Sequence, residues 1–136
     1  MTMNNSQKAR VFYDAANLIN QGWCHSDYAV DGNNDTVAPE SDNACSFCAV
    51  GALRRAVYNL TGEVAWADKN GESVWSSAMG ECMIDLCKVI GWSSTDGATP
   101  VRDLAGWNDD PFTRKSVVIE RFMKVRENLL AGVTHG

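Results

Sequence analysis

The sequence predicts a mainly α fold: a single small domain of about four helices. Apolar residues recur at three- and four-residue spacing along four long stretches, and neither a series of strands nor an internal repeat is visible. The chain has 136 residues, of which 45% are hydrophobic and 21% charged. That length and composition are typical of one globular domain with an ordinary hydrophobic core. We expect residues 1–5 and 133–136 to be flexible tails.

Four segments carry the helical pattern, and the second of them carries it most clearly. Its small residues, among them Gly51, predict a central buried helix that another helix approaches closely. The interior Gly80 of the third helix lowers its helix propensity and suggests another close helix contact. The predicted helices are 6–21, 42–61, 73–90 and about 111–131. Their predicted N-caps are Ser6 for the first, Ser41 or Asp42 for the second and Asp110, followed by Pro111, for the last.

The connecting segments contain turn-forming residues. Residues 31–35 form such a cluster, and the β-favouring residues on either side predict a short β-hairpin near residues 28–37. After the third helix, residues 91–106 resemble a loop that contains a short helical turn at residues 101–105.

The net charge is −5, and it is unevenly distributed. Residues 11–53 contain six acidic residues but neither lysine nor arginine, whereas the last predicted helix is basic. Two solvated faces that attract each other explain this distribution most simply, and an acidic surface for a basic partner is the alternative. The acidic balance argues against direct binding to nucleic acid or to an anionic membrane surface.

The sequence also predicts a cytoplasmic location. No apolar run approaches the roughly 20 residues that span a bilayer. The polar N-terminus does not resemble a secretory signal, so five cysteines fit a reducing compartment.

Cysteine and histidine residues suggest a zinc site, although the spacing is unfavourable. Cys45 and Cys48 form a Cys-x-x-Cys half-site, and Cys24 and His25 would complete a tetrahedral set. Adjacent residues rarely aim at one ion, and Cys45 and Cys48 also fit the apolar stripe of a helix. We therefore predict no metal and no cofactor.

The same residues permit a thiol nucleophile. Near a helix N-terminus, the helix dipole would favour the thiolate form of Cys48. His25 would act as the base, and Asn108 or Asp109 would orient the His25 ring. A buried thiol that packs as a small hydrophobe is the simpler interpretation.

Two polar clusters are candidate ligand sites. Asp31 and Asp35 resemble the start of a calcium loop, but the later ligand positions do not match, so an acidic turn is favoured. Trp107, Asn108 and Asp109 form the densest polar–aromatic cluster, and capping of the following helix is favoured over ligand contacts. The tryptophans at predicted helix ends, including Trp23, either seal the bundle or stack on a ligand.

Several of these residues, taken in order, resemble a small family of uncharacterised bacterial and phage proteins described as a domain of unknown function. The resemblance covers about residues 10–130 and implies a small, mainly helical fold without implying a reaction. Cys24, His25 and Cys45 lie outside the family pattern, which weakens the zinc and Cys–His hypotheses. The matching positions are Trp23, Asp31, Gly32, Cys48, Gly51, Asn108 and Asp109, with Thr113 ahead of Val117 and Val118.

Three functional hypotheses follow. The first is a non-enzymatic accessory protein of phage or mobile-element type, which inhibits a host defence protein by presenting an acidic surface to its basic site. The second is a protein that binds or sequesters a small ligand such as a nucleotide signal. The third is a Cys48-dependent enzyme, which the scarcity of histidine disfavours. The residues expected to contact a ligand or partner are Trp23, Asp31, Asp35, Trp107, Asn108 and Asp109.

Overall fold

The computed structural model describes residues 3–91 and 100–132 and confirms the mainly α prediction. Within these residues there are five helices, one more than predicted, and two short antiparallel strand pairs. The helices are α1 (Asn5–Gln21), α2 (Ala49–Thr61), α3 (Ser77–Ile90), α4 (Pro100–Asp109) and α5 (Lys115–Leu130). The strands are β1 (Ala29–Val30), β2 (Ser46–Phe47), β3 (Trp66–Lys69) and β4 (Glu72–Trp75).

The core lies between α1, α2 and α5, and α3 and α4 complete it. α1 packs along α5 and also contacts α2. The Phe12 ring meets the Phe122 ring edge to face, with 5.7 Å between the ring centroids. Both side chains are fully buried, so this contact between the first and last helices helps to close the domain.

The predicted hairpin near residues 28–37 is present only as isolated contacts. Val30 and Thr36 form a single bridge, and the Val37 N–H donates to the Ala29 carbonyl oxygen at 3.1 Å. The strand partner of β1 is instead β2, with Ala29 opposite Phe47.

The hairpin of β3 and β4 was not predicted. Its turn places Asn70 and Gly71 at positive φ, 56° and 83°, as a tight hairpin turn requires. Because β4 occupies residues 72–75, the prediction that α3 begins at residue 73 is wrong. α3 begins at Ser77, and the Ser76 side chain accepts the Met79 N–H.

Other helix starts also differ from prediction. Asn4, not Ser6, caps α1 and forms a capping box with Gln7. α2 begins at Ala49 rather than at residue 42, because β2 holds the preceding backbone in an extended conformation. Neither Ser41 nor Asp42 therefore caps it.

The last helix starts later than expected and is not capped by Asp110. The Asp110 carboxylate accepts the Phe112 N–H and closes a turn, and α5 begins at Lys115 without a side-chain cap from Arg114. The short helical turn predicted at residues 101–105 is part of the ten-residue helix α4.

Gly80 faces open space. Beyond its own helix backbone, no described atom lies within 4 Å of the point where a Cβ would stand, so the predicted close helix contact at Gly80 is wrong. Met3 is buried, whereas residues 1–2, 92–99 and 133–136 lie outside the described residues. None of the helices in the described ranges has the length and apolar character needed to cross a membrane.

Candidate functional site

Asn108 is a buried junction between three segments of the chain. Its Oδ1 accepts the Trp23 indole N–H at 2.7 Å and the Ala49 N–H at 2.9 Å. Its Nδ2 donates to the Cys24 carbonyl oxygen and to the Asp109 carboxylate, both at 3.0 Å. Because both amide donors and both acceptor sites are used, Asn108 holds the fold together and has no remaining hydrogen-bonding capacity for a ligand.

The tryptophans of this region have internal contacts. The Trp23 ring lies 4.4 Å from the His25 ring, centroid to centroid, and its N–H is bonded to Asn108. Trp107 is half-buried against the core. Both residues therefore contribute to packing in this structure.

Asp31 closes the acidic turn. Its Oδ1 accepts the backbone N–H groups of Asn33 at 2.8 Å and of Asp35 at 2.9 Å. This pattern is an Asx-turn, in which the side chain substitutes for a backbone acceptor. Asp35 is exposed at the end of the turn.

Cys48 is the N-cap of α2. Its Sγ accepts the Gly51 N–H at 3.3 Å, and its own N–H donates to the Tyr28 carbonyl oxygen at 3.2 Å. The side chain is 5% exposed, and burial raises the pKa of the thiol to about 11. At neutral pH Cys48 is a protonated thiol, in contrast to the activated thiolate that nucleophilic catalysis requires.

The fold explains why a glycine stands at position 51, three residues after Cys48. A Cβ at Gly51 would overlap the Tyr28 carbonyl group. At Gly51 the close neighbour is therefore a loop, whereas the helix that packs against α2 is α1.

The structure does not assemble the suggested metal site. Cys45 is exposed and Cys48 is buried, and the Cys24 thiol donates to the Asp27 carbonyl oxygen at 3.5 Å. Across residues 3–91 and 100–132, no three or more histidine, cysteine or acidic side chains are grouped so as to hold a metal ion.

A cavity of about 600 Å³ opens between the segments before and after β1, the first half of α2, the start of β3 and the end of α4. We call it the Trp66 cavity. Of its main residues, only Cys48 and Asp109 were predicted from the sequence as site residues. The side chains that define it are Asp27, Tyr28, Cys48, Arg54, Trp66 and Asp109.

Arg54 is the buried cation of the Trp66 cavity. It is 7% exposed, and its Nε and Nη2 donate to the two Glu40 oxygens at 2.5 and 2.6 Å. Its Cζ lies 5.2 Å from the centroid of the Trp66 ring, within the range of a cation–π contact. The available sequence signal for this pair was an arginine directly after the apolar run of residues 49–53 and 14 residues after a glutamate.

Two carboxylates, those of Asp27 and Asp109, also line the cavity. The Asp109 oxygens accept the N–H of Ser26, the residue before Asp27, at 3.1 and 3.2 Å. Asp27 Oδ1 accepts the Thr36 hydroxyl at 2.9 Å. Burial raises the pKa of the nearby Cys24 thiol to about 12, and Asp27 and Asp109 contribute to that rise.

The fold and the site thus define a small, mainly helical protein with a polar–aromatic cavity of ligand size. A family model described as "Family of unknown function (DUF6197)" matches residues 3–128. The chain belongs to this family. No curated protein and no solved structure matches the chain.

Proposed function

We propose that this protein is a non-enzymatic binding protein that holds a small ligand in the Trp66 cavity. The observation that carries the proposal is the cavity itself. Its volume of about 600 Å³ lies within the roughly 300–1,000 Å³ typical of small-molecule sites. It also combines aromatic walls, Tyr28 and Trp66, with a few charged groups that can orient a ligand.

The state of the candidate nucleophile supports binding rather than catalysis. Cys48 lines the cavity, but its sulfur accepts a helix N–H and burial raises the pKa of its thiol. Asn108, which would orient the base, has no free hydrogen-bonding group, and the His25 ring packs at 58° against the Trp23 ring. A Cys–His mechanism would need these groups to be available to a substrate.

Native mass spectrometry of the protein purified from cells tests the proposal. We expect a bound mass that Ala38→Trp abolishes, because Ala38 lies at the exposed rim of the cavity and the indole would fill it. Ala67→Trp, on the exposed β3 strand, is the matched control and should keep the bound mass. Bare protein in repeated preparations, or a bound mass that survives Ala38→Trp, would contradict the proposal.

A second candidate is the accessory role suggested by the sequence, in which an acidic surface binds a basic site on a host protein. The exposed carboxylates of Asp35 and Asp42 support it, because they form no ion pair with the rest of the described chain. A pull-down from host lysate should recover a partner with the natural protein and lose it when both residues become asparagine. Recovery of no partner at low and moderate salt would argue against this role.

A further inference from the structure

The two ends of the Trp66 cavity differ in charge. At one end, Asp27 and Asp109 are bonded to uncharged donors: the Thr36 hydroxyl, the Ser26 N–H and the Asn108 amide. Neither carboxylate forms an ion pair with another described residue. Each retains acceptor capacity, since a carboxylate can accept about four hydrogen bonds.

At the other end, Arg54 offers one nitrogen. Glu40 occupies Nε and Nη2, whereas Nη1 makes no hydrogen bond with the described residues and is not sealed from solvent. Because Glu40 balances the charge of Arg54, the two aspartates leave the cavity with an excess of negative charge. Arg54 therefore donates one hydrogen bond from Nη1 to a ligand but does not make the cavity attractive to anions in general.

The rise of α2 gives the scale of the cavity along the helix axis. Cys48, beside Asp109, and Arg54 are six residues apart along α2. At about 1.5 Å per residue, this separation is about 9 Å. The aromatic side chains of Tyr28 and Trp66 line the cavity with them, and Trp66 contacts Arg54.

We infer that the Trp66 cavity selects dipolar amines. An amino or guanidinium group binds between Asp27 and Asp109, and a carboxylate or carbonyl group at the far end accepts the Arg54 Nη1–H. An apolar spacer of about 9 Å joins them along Tyr28 and Trp66. This inference rests on the proposed function, because it names the ligand class of the same cavity.

Three probes of equal chain length test the inference: 6-aminohexanoate, hexylammonium and hexanoate. Binding is followed by the NMR signal of the Trp66 indole N–H, assigned with Trp66→Phe. We expect 6-aminohexanoate to bind at least about tenfold more tightly than either single-ended probe.

Isosteric variants separate the amine end from the rest of the cavity. Asp27→Asn and Asp109→Asn keep an oxygen that accepts the Thr36 and Ser26 donors, but they remove the charge. Each should weaken 6-aminohexanoate binding about tenfold and leave hexanoate binding unchanged. Glu63→Gln, an exposed isosteric change outside the cavity, is the control and should alter neither affinity.

The outcomes distinguish this inference from the proposed function. If hexanoate binds as tightly as 6-aminohexanoate, or if the aspartate variants bind normally, the dipolar-amine inference is wrong. If the protein purified from cells carries a cavity ligand but the three probes leave the Trp66 signal unchanged, the inference is wrong and the proposed function stands. Bare protein with no response to any probe would overturn both.

Discussion

Gly51 is a residue whose side chain is excluded by the fold. Residues 28 and 48–51 meet so closely that the Tyr28 carbonyl occupies the space of a Cβ at Gly51. The same contact brings the Cys48 N–H to the Tyr28 oxygen. Gly51 and Cys48 thus position the wall of the Trp66 cavity without contributing reactive groups.

Gly51→Ala should lower the free energy of unfolding by about 3 kcal/mol or more, because backbone must move to admit one methyl group. Gly80→Ala is the matched control within a helix. The space around its Cβ position is open, so it should raise the free energy of unfolding by about 0.5–1 kcal/mol. Urea denaturation followed by circular dichroism measures both. A Gly51→Ala protein as stable as the natural one would show that the loop can move away from α2.

Asn108 shows what a single sequence can reveal about a residue and what it cannot. The polar–aromatic cluster at residues 107–109 marked it as important. Its role depends on the Trp23 indole, 85 positions away along the chain, and on the Ala49 N–H. No local pattern specifies such partners, so the choice between a cap and a ligand contact required the fold.

At the scale of the element, α2 organises the loop that precedes β2. Arg54 binds Glu40, and Arg55 Nη1 donates to the carbonyl oxygens of Pro39 at 2.9 Å and Ser41 at 2.7 Å. These contacts hold residues 37–41 against the helix, where part of the segment lines the cavity. The Arg54–Glu40 pair therefore determines the shape of the site as well as its charge.

Glu40→Gln should lower the free energy of unfolding by about 3 kcal/mol, because it leaves the Arg54 guanidinium buried without its anion. Asp42→Asn, an exposed change in the same loop, should stay within about 0.5 kcal/mol of the natural protein. Thermal and urea unfolding provide the comparison. Equal stability of the two variants would mean that the ion pair contributes little beyond the polar contacts of an amide.

Helix periodicity predicted the elements better than their starts. The apolar stripes of α1, α2 and α5 were visible because one face of each packs into the core over several turns. The start of α2 was misplaced because Cys45 and Cys48 have helical spacing, although β2 takes residues 46–47 into a strand. The hairpin of β3 and β4 is largely exposed, so it lacks the alternation of buried and exposed residues that identifies a strand.

At the scale of the whole molecule, the cysteines form part of the packing. All five are free thiols; Cys48 is buried at the start of α2, and Cys82 and Cys87 are both buried on α3. Burial raises the pKa of Cys82 to about 12 and of Cys87 to about 11, as it does for Cys48. The stability of the protein therefore depends on pH through thiols buried at the start of α2 and on α3.

The direction of this linkage predicts sensitivity to alkaline pH. A thiol with a raised pKa binds its proton more tightly in the folded than in the unfolded protein. Its contribution to stability is therefore complete below the unfolded pKa, about 8.5, and is lost as the pH rises towards 11–12. Under reducing conditions, the urea midpoint should be constant between pH 7 and 8 and fall steadily from about pH 9.

Two variants assign this loss to the buried thiols. Cys82→Ala creates a cavity in the core, so the urea midpoint of this variant should be lower at neutral pH. Because the variant lacks one thiol of strongly raised pKa, its midpoint should also fall less steeply as the pH rises. Cys45→Ala removes an exposed thiol and should retain the full pH dependence. If Cys82→Ala and the natural protein lose stability with the same slope against pH, deprotonation of Cys82 does not contribute to the loss. Other groups that titrate at alkaline pH would then account for it, such as Tyr28, whose pKa is also raised by burial.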